Sequence, residues 1–298
     1  SVSIVGGEEL DPPEYGTVQI SIKPKNGDLI SDFNKTKILS EIKKYSIAGI
    51  NQKIVDLKIL YVELDASVYF DSNKVTSLSE LKSQVTSSLT QYSNSLDLNK
   101  FGGRFRYSKV LNVIDSTNTA ITSNITKVKI RRNIQVLPNQ FTQYELCFGN
   151  QFHVNREGLN IKSTGFTVAG DSSLVYLTDI PNSDLKTGVI SIVKRGSEGN
   201  VNVVAKSAGT VDYITGEVNL STINITSTEK SGNIIEIQAF PESNDVVGLK
   251  DLYLQLDISK TKINMLEDVI ASGEEKSGVV FSRDSYTSSY SNGSLNRQ

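Results

Sequence analysis

Residues 54–70, IVDLKILYVELDASVYF, place Leu60, Val62, Leu64, Ala66, Val68 and Phe70 at every second position. That period puts all six on one face of an extended strand. A strand this long with one continuous apolar face needs another layer packed on it, and the neighbouring sequence supplies one. Residues 77–96 carry Leu78, Leu81, Val85, Leu89, Tyr92 and Leu96 at spacings of three and four, the pattern of an amphipathic helix. Ser77 followed by Glu80 is a capping box at its start. Residues 33–46 predict an earlier helix, with Asp32 as its N-cap, and 107–117 a shorter one, with Ser108 as a cap. Strands are expected at 17–23 and 125–137. In the latter, Thr126, Val128, Ile130, Ile134 and Val136 face inward, while Lys127, Lys129 and Arg131 face out.

The order β-α-β-α-(α)-β predicts an α+β fold, a ferredoxin-like α/β sandwich over residues 17–137 with one sheet and helices on one face. The fourth strand of such a sandwich is not evident, and a bend in 54–70 is one way to supply it. After Pro138 the helical period disappears. Short alternating segments separated by Gly, Asn and Asp turns predict an all-β domain over 138–248, with a hairpin turning at Thr215-Gly216. Residues 249–258 give a final strand. The rest of 249–298 is polar, rich in Ser and Tyr, and is expected to be an extended segment that lacks a core of its own. At the other end, GGEELDPPEYG (6–16) combines glycines with Pro12-Pro13. It reads as a stiff extended entry that cannot be helix or inner strand, and 1–16 is taken as a linker from a missing N-terminal part.

Composition narrows the functional classes. The 298 residues carry 31 basic and 33 acidic side chains, a net charge of −2, without the clustered basic surface that nucleic acid would require. No apolar run approaches the length of a membrane span, and the start lacks the features of a signal peptide. With one Cys and one His, a disulfide framework, a cysteine-rich zinc site and a histidine metal cluster are all out of reach. Phosphate-cradling and nucleophile-elbow motifs are absent. Cys147 and His153 lie six apart, but Cys147 sits between Leu146 and Phe148, where an inert buried thiol is expected. Asp115, Thr117 and Thr119 match a calcium loop in spacing only. In GGRFRY (102–107), Phe105 and Tyr107 are expected to anchor against the sheet. The stripe Lys127, Lys129, Arg131 reads as a solvated sheet face, with docking of an acidic partner as the alternative. No catalytic, cofactor or metal residues are assigned.

GGEELDPPEYGTVQISIKPKNG resembles the stretch that opens the C-terminal half of the baseplate wedge proteins of T4-like contractile-tailed bacteriophages, within the J-like baseplate family. The long strand after Ile54, the Leu78–Leu96 helix, the Gly-rich step into Tyr107–Val113, and LYLQLDISKTKINMLEDVIASG resemble that family too, over nearly the whole chain. The resemblance implies a preceding helical half and a structural role without enzyme activity. It also implies a homodimer that links neighbouring wedges into a ring around the hub, contacts other wedge and hub proteins, and rearranges when the sheath contracts. The location implied is the virion tail baseplate, assembled in the host cytoplasm. Tyr253, Leu254, Met265, Leu266 and Tyr286, with Lys127, Lys129 and Arg131, are the expected partner-contacting residues. A receptor- or glycan-binding β module is the other reading, although the region 139–248 offers Tyr176 and Tyr213 but no Trp.

Overall fold

The computed structural model describes residues 1–268 except 11, 26, 28–29, 47–48, 96–97 and 197–200, and also 290–291 and 294–295. It is predominantly β, and its strands fall into three main units.

The first unit spans residues 1–55. Strands β1 (Val2–Gly6), β2 (Thr17–Ile22) and β3 (Asn51–Val55) form a sheet in the order β1-β2-β3, with β1 antiparallel and β3 parallel to β2. Helix α1 (Asp32–Lys43) makes the crossover between β2 and β3. Its N-cap is Ser31, whose hydroxyl accepts from Asn34 N at 3.4 Å, one residue before the expected Asp32. Between β1 and β2 the chain doubles back so tightly that a Cβ on Gly7 would lie 1.8 Å from the carbonyl oxygen of Glu14. Glycine is the residue that permits this approach.

The second unit begins with β4 (Lys58–Phe70), α2 (Leu78–Ser93), β5 (Lys100–Phe101), β6 (Arg104–Phe105), α3 (Tyr107–Asp115) and β7 (Ile121–Gln135). The chain then builds the third unit from β8 (Phe141–Cys147), β9 (Lys162–Ser163), β10 (Phe166–Val168), β11 (Asp171–Pro181), β12 (Thr187–Arg195), β13 (Val201–Asp212) and β14 (Glu217–Thr228). It returns to the second through β15 (Ile234–Ala239), β16 (Val246–Val247), β17 (Leu252–Leu256) and β18 (Lys262–Glu267). A last strand pair, β19 (Tyr290–Ser291) with β20 (Ser294–Leu295), is antiparallel.

The large sheet runs β5-β17-β4-β7-β15-β9, and β18 continues alongside β4 beyond β17. Both β17 and β18 run parallel to β4, while β7 runs antiparallel. All six alternating apolar residues of β4 are buried, as their period requires. Leu81, Val85 and Leu89 of α2, with Val110 and Ile114 of α3, are buried in the same core. Helix α2 starts at Ser77, whose hydroxyl accepts from Glu80 N at 3.4 Å. In the turn before α3, Phe105 is fully buried, so GGRFRY does anchor on the core.

Helix α3 has no cap from its own N-cap residue, Arg106, and Ser108 lies inside the helix. A carboxylate from far along the chain fills that role. Asp245 Oδ1 accepts from Tyr107 N at 2.8 Å, and its Oδ2 accepts from Arg106 Nη1 at 2.7 Å. These contacts, the backbone donor first, hold the Asp245 carboxyl below its usual range. We expect Asp245→Ala to cost about 1 kcal/mol, as for other lost helix caps. A depressed carboxylate stabilises the fold above its unfolded value near 4, and that contribution is lost as pH falls through the lower folded value. Urea unfolding at pH 7 and pH 3 checks both statements, since the wild-type advantage is to shrink at pH 3.

The third unit is a barrel. Strands β10 to β14 pair in sequence order, and β10 closes onto β14 through Phe166↔Thr228 and Thr167↔Ser227. Strand β8 lies along the other half of the same β14 edge. The β13–β14 hairpin turns at Thr215-Gly216, where Gly216 has φ +70° and a Cβ would lie 2.1 Å from Asn150 O. A buried carboxylate fixes the loop that precedes the barrel's closure. Asp179 accepts from Tyr213 Oη at 2.6 Å, Asn160 Nδ2 at 2.8 Å and Ile161 N at 2.7 Å.

The ferredoxin-like sandwich is therefore not the fold. Residues 17–22 and 58–70, expected in one sheet, lie in two, because the strand read across 54–70 breaks at Asp56-Leu57. Apolar alternation reports which face of a strand is buried, not which strand lies beside it. Three of the additional strands of the large sheet come from 234–267, after the barrel, and none from a bend in 54–70.

Candidate interaction surfaces

The large sheet has two unlike faces. The helices cover one. On the other, β4 contributes Tyr61 and Glu63, and β7 contributes Lys127, Lys129 and Arg131. Arg131 was expected to face out, yet it is only 4% exposed. Its Nε donates to Glu63 Oε1, Nη2 donates to Asp257 Oδ2 at 2.6 Å, and Nη1 donates to Asn133 Oδ1 at 2.6 Å. Glu236 Oε1 lies 3.4 Å from Nη1, and the guanidinium stacks 4.1 Å from the Tyr61 ring centroid. Gln238 donates to the second Glu63 oxygen at 2.6 Å, and Lys260 lies 3.7 Å from Glu236. One cation thus holds together β4, β7, β15 and the turn after β17. Lys129 is half-buried and 3.6 Å from Asp65, and Lys127 is exposed. Only the last keeps the free, solvated character expected of the stripe. The sequence carried one signal of the buried cluster: Glu63 sits at a non-core parity inside the apolar run Ile59–Leu64.

The expected contact residues near the C-terminus also separate. Leu254 is fully buried against Leu60 in the sheet, and Tyr253 is buried on the other face, edge-on to Phe101 with ring centroids 5.3 Å apart. Both are core side chains of this chain. Met265 and Leu266 lie on β18. Met265 packs against the core and Leu266 is 41% exposed. Tyr286 lies outside the described residues, as does most of the segment expected to be extended. A truncation meant to remove only that segment has to begin after Asp268, because β18 is paired to β4 along its whole length and Ile263 is buried.

Cys147 and His153 do not share a hydrogen-bonded pair. His153 Nδ1 lies 2.9 Å from Glu242 Oε2, both side chains being exposed. Cys147 is half-buried, its thiol pushed up mainly by burial, and its backbone oxygen accepts from the buried Arg132. Among the described residues, no group of three or more His, Cys, Asp or Glu side chains is arranged to hold a metal ion. No helix among them is long and apolar enough to cross a membrane.

The first unit carries several of the most exposed apolar side chains. Val2 and Ile4 project from β1, Phe33 from the start of α1 is 78% exposed, and Tyr15 and Tyr45 are exposed more fully still. Helix α1 has no buried residue at all. Fifty-five residues that bury so little of their apolar surface form a small core.

Two stretches of the chain match known domains. Residues 1–55 match the model for "Baseplate structural protein gp6, C-terminal domain I", and residues 58–133 match the model for "Baseplate structural protein gp6, C-terminal domain III". The gap between the two matches falls at the Asp56-Leu57 break. The chain is similar to the C-terminal part of T4-like baseplate wedge proteins. A curated relative, the baseplate wedge protein gp6 of Enterobacteria phage T4, is 23% identical over 126 residues. That match spans 42% of this chain and 19% of the relative. In these terms the exposed Ile4, Tyr15, Phe33 and Tyr45 belong to the domain I-like unit. The Arg131 cluster joins the domain III-like strands β4 and β7 to strands made after the barrel. The similarity supports a structural role in a phage baseplate.

Proposed function

We propose that the chain is a structural component of a phage tail baseplate. It self-associates through its own surface, links neighbouring wedges into a ring around the hub, and changes its contacts when the sheath contracts. Its partners are a second copy of itself and other wedge and hub proteins, and its work is mechanical, with no reaction catalysed. It resides in the virion tail after assembly in the host cytoplasm. The observation that carries this reading is the pair of adjacent domain matches, which meet where the structure changes sheet. The exposure of Ile4 and Phe33 on a unit with a small core is consistent with it, because apolar side chains left in water gain from burial against a neighbour.

Sedimentation equilibrium over a wide concentration range tests the self-association. The expected result is a mass that rises from 32.6 kDa toward twice that value. The double variant Ile4→Glu, Phe33→Glu is expected to shift that equilibrium toward monomer by about tenfold or more. Its circular dichroism should be unchanged, since both side chains are exposed. A strict monomer at every concentration would count against the ring-linking dimer.

A further inference from the structure

Strand β18 presents a type of edge that folded sheets normally protect. The other ends of the large sheet are β5 and β9, each two residues long, and short edge strands are one of the usual defences against strand addition. Strand β18 is six residues long, and among the described residues it pairs only with β4. The N–H of Asp268 reaches Phe70 O at 2.9 Å. By the alternation of a strand, the backbone groups of Asn264 and Leu266 then point toward β4, and those of Ile263 and Met265 point outward.

A groove runs along this outer edge. Helix α2 forms its wall through Leu78, Lys82 and Thr86, which recur every fourth residue on one helix face. One section, of about 860 Å³, is lined by Leu78, Ser79, Lys82 and residues 263–266. The next, of about 300 Å³, is lined by Lys82, Thr86, Ile258 and residues 261–264. The two share Lys82, Ile263 and Asn264, so they form one channel with two chemical ends. At the β18 start stand Lys82 and Lys262, which form no ion pair among the described residues. At the other end stand Leu78, Met265 and Leu266, an apolar mouth in which Leu78 and Leu266 are exposed.

We propose that this groove binds an extended strand of another polypeptide, which adds to the outer edge of β18. The strand carries acidic side chains beside Lys82 and Lys262 and apolar ones beside Leu78, Met265 and Leu266. Main-chain hydrogen bonds to Ile263 and Met265 supply a share of affinity that is independent of sequence, and the two ends of the groove set the register. The proposal rests on the groove and not on the baseplate role, so either can fail without the other.

The test uses the full chain and two synthetic peptides, acetyl-Glu-Glu-Thr-Val-Thr-Val-amide and its reverse acetyl-Val-Thr-Val-Thr-Glu-Glu-amide, for parallel and antiparallel addition. The readout is hydrogen exchange at individual amides. The expected result is that one peptide slows exchange at Ile263 and Met265 and leaves the barrel amides unchanged. Replacing both glutamates by lysine is expected to weaken binding roughly five- to tenfold. In the double variant Lys82→Glu, Lys262→Glu, at two exposed positions, the preference is expected to reverse in favour of the lysine peptide. The proposal is overturned if neither peptide protects these amides at millimolar concentration. It is equally overturned if Ile263 and Met265 already exchange slowly in the free chain, since the chain's own residues or a second copy would then hold the edge, or if the charge swap has no effect.

Discussion

Replacing Arg131 with alanine is expected to destabilise the chain by about 3–5 kcal/mol, the cost typical of removing one partner from a buried ion pair. Three carboxylates depend on this guanidinium. Glu63 and Asp257 bond it directly, and Glu236 lies 3.4 Å away. Each is largely removed from water, so none is freely rehydrated when the cation is lost. Arg131→Lys retains the charge but not the planar fork that serves three strands and a turn at once, nor the stack on Tyr61. It should therefore recover only part of the loss. The measurement is the urea midpoint by circular dichroism for wild type and both variants. A loss below about 1 kcal/mol for Arg131→Ala would match a solvated surface pair and overturn the buried-cluster reading. Adding Glu63→Gln to Arg131→Ala should restore some stability, because it removes a charge that has lost its partner.

The second large effect is expected at Asp179. Asp179→Ala leaves the Tyr213 hydroxyl, the Asn160 amide and the Ile161 N–H without their acceptor in a buried site, at a cost of about 3 kcal/mol. Tyr213→Phe removes a single donor and should cost about 1 kcal/mol. The two variants also separate in alkali. Burial first, then the bond to Asp179, pushes the Tyr213 phenol well above its ordinary value. A raised acid stabilises the fold fully below its unfolded value near 10, and that contribution is lost as pH rises toward the folded value. Wild type should therefore lose stability above about pH 10 more steeply than Tyr213→Phe does. Equal slopes would mean that the phenol ionises as readily in the fold as out of it.

Much of the local structure could be read from the residues. The parity of Leu60 to Phe70 marked the buried face of β4, the spacing of Leu81, Val85 and Leu89 marked α2, and Ser77 capped it as expected. The turn at Thr215-Gly216 was legible because only a residue that tolerates positive φ suits it. Strand pairing was not legible. Leu252 to Leu256 read as one more strand, but nothing local states that it lies parallel to Lys58–Val62. Arg131 shows the same gap at the level of a side chain. Its parity places it opposite the core, as the structure has it, but that face of the sheet is buried by acids from elsewhere and is not solvated there. Its counter-charges come from residues 63, 236 and 257. For the interaction surfaces, the sequence pointed to Tyr253, Leu254, Met265, Leu266 and Tyr286 alike. Tyr253 and Leu254, apolar residues in the same region, are part of the core instead.

The large sheet encloses the barrel in the chain: β4 and β7 are made before it, and β15, β17 and β18 after it. A ribosome delivers residues in that order. Until residue 234 emerges, β7 lacks β15 and Arg131 has only Glu63 of its three acids, and β4 stays open along one side until residue 252. The barrel strands are contiguous from 166 to 228 and meet no such wait. The barrel is therefore expected to mature first on the nascent chain, with the sheet sealing last around strands that have stood open throughout its synthesis. That interval is when this polypeptide is most exposed to aggregation, and it ends with the arrival of a few short segments near the C-terminus.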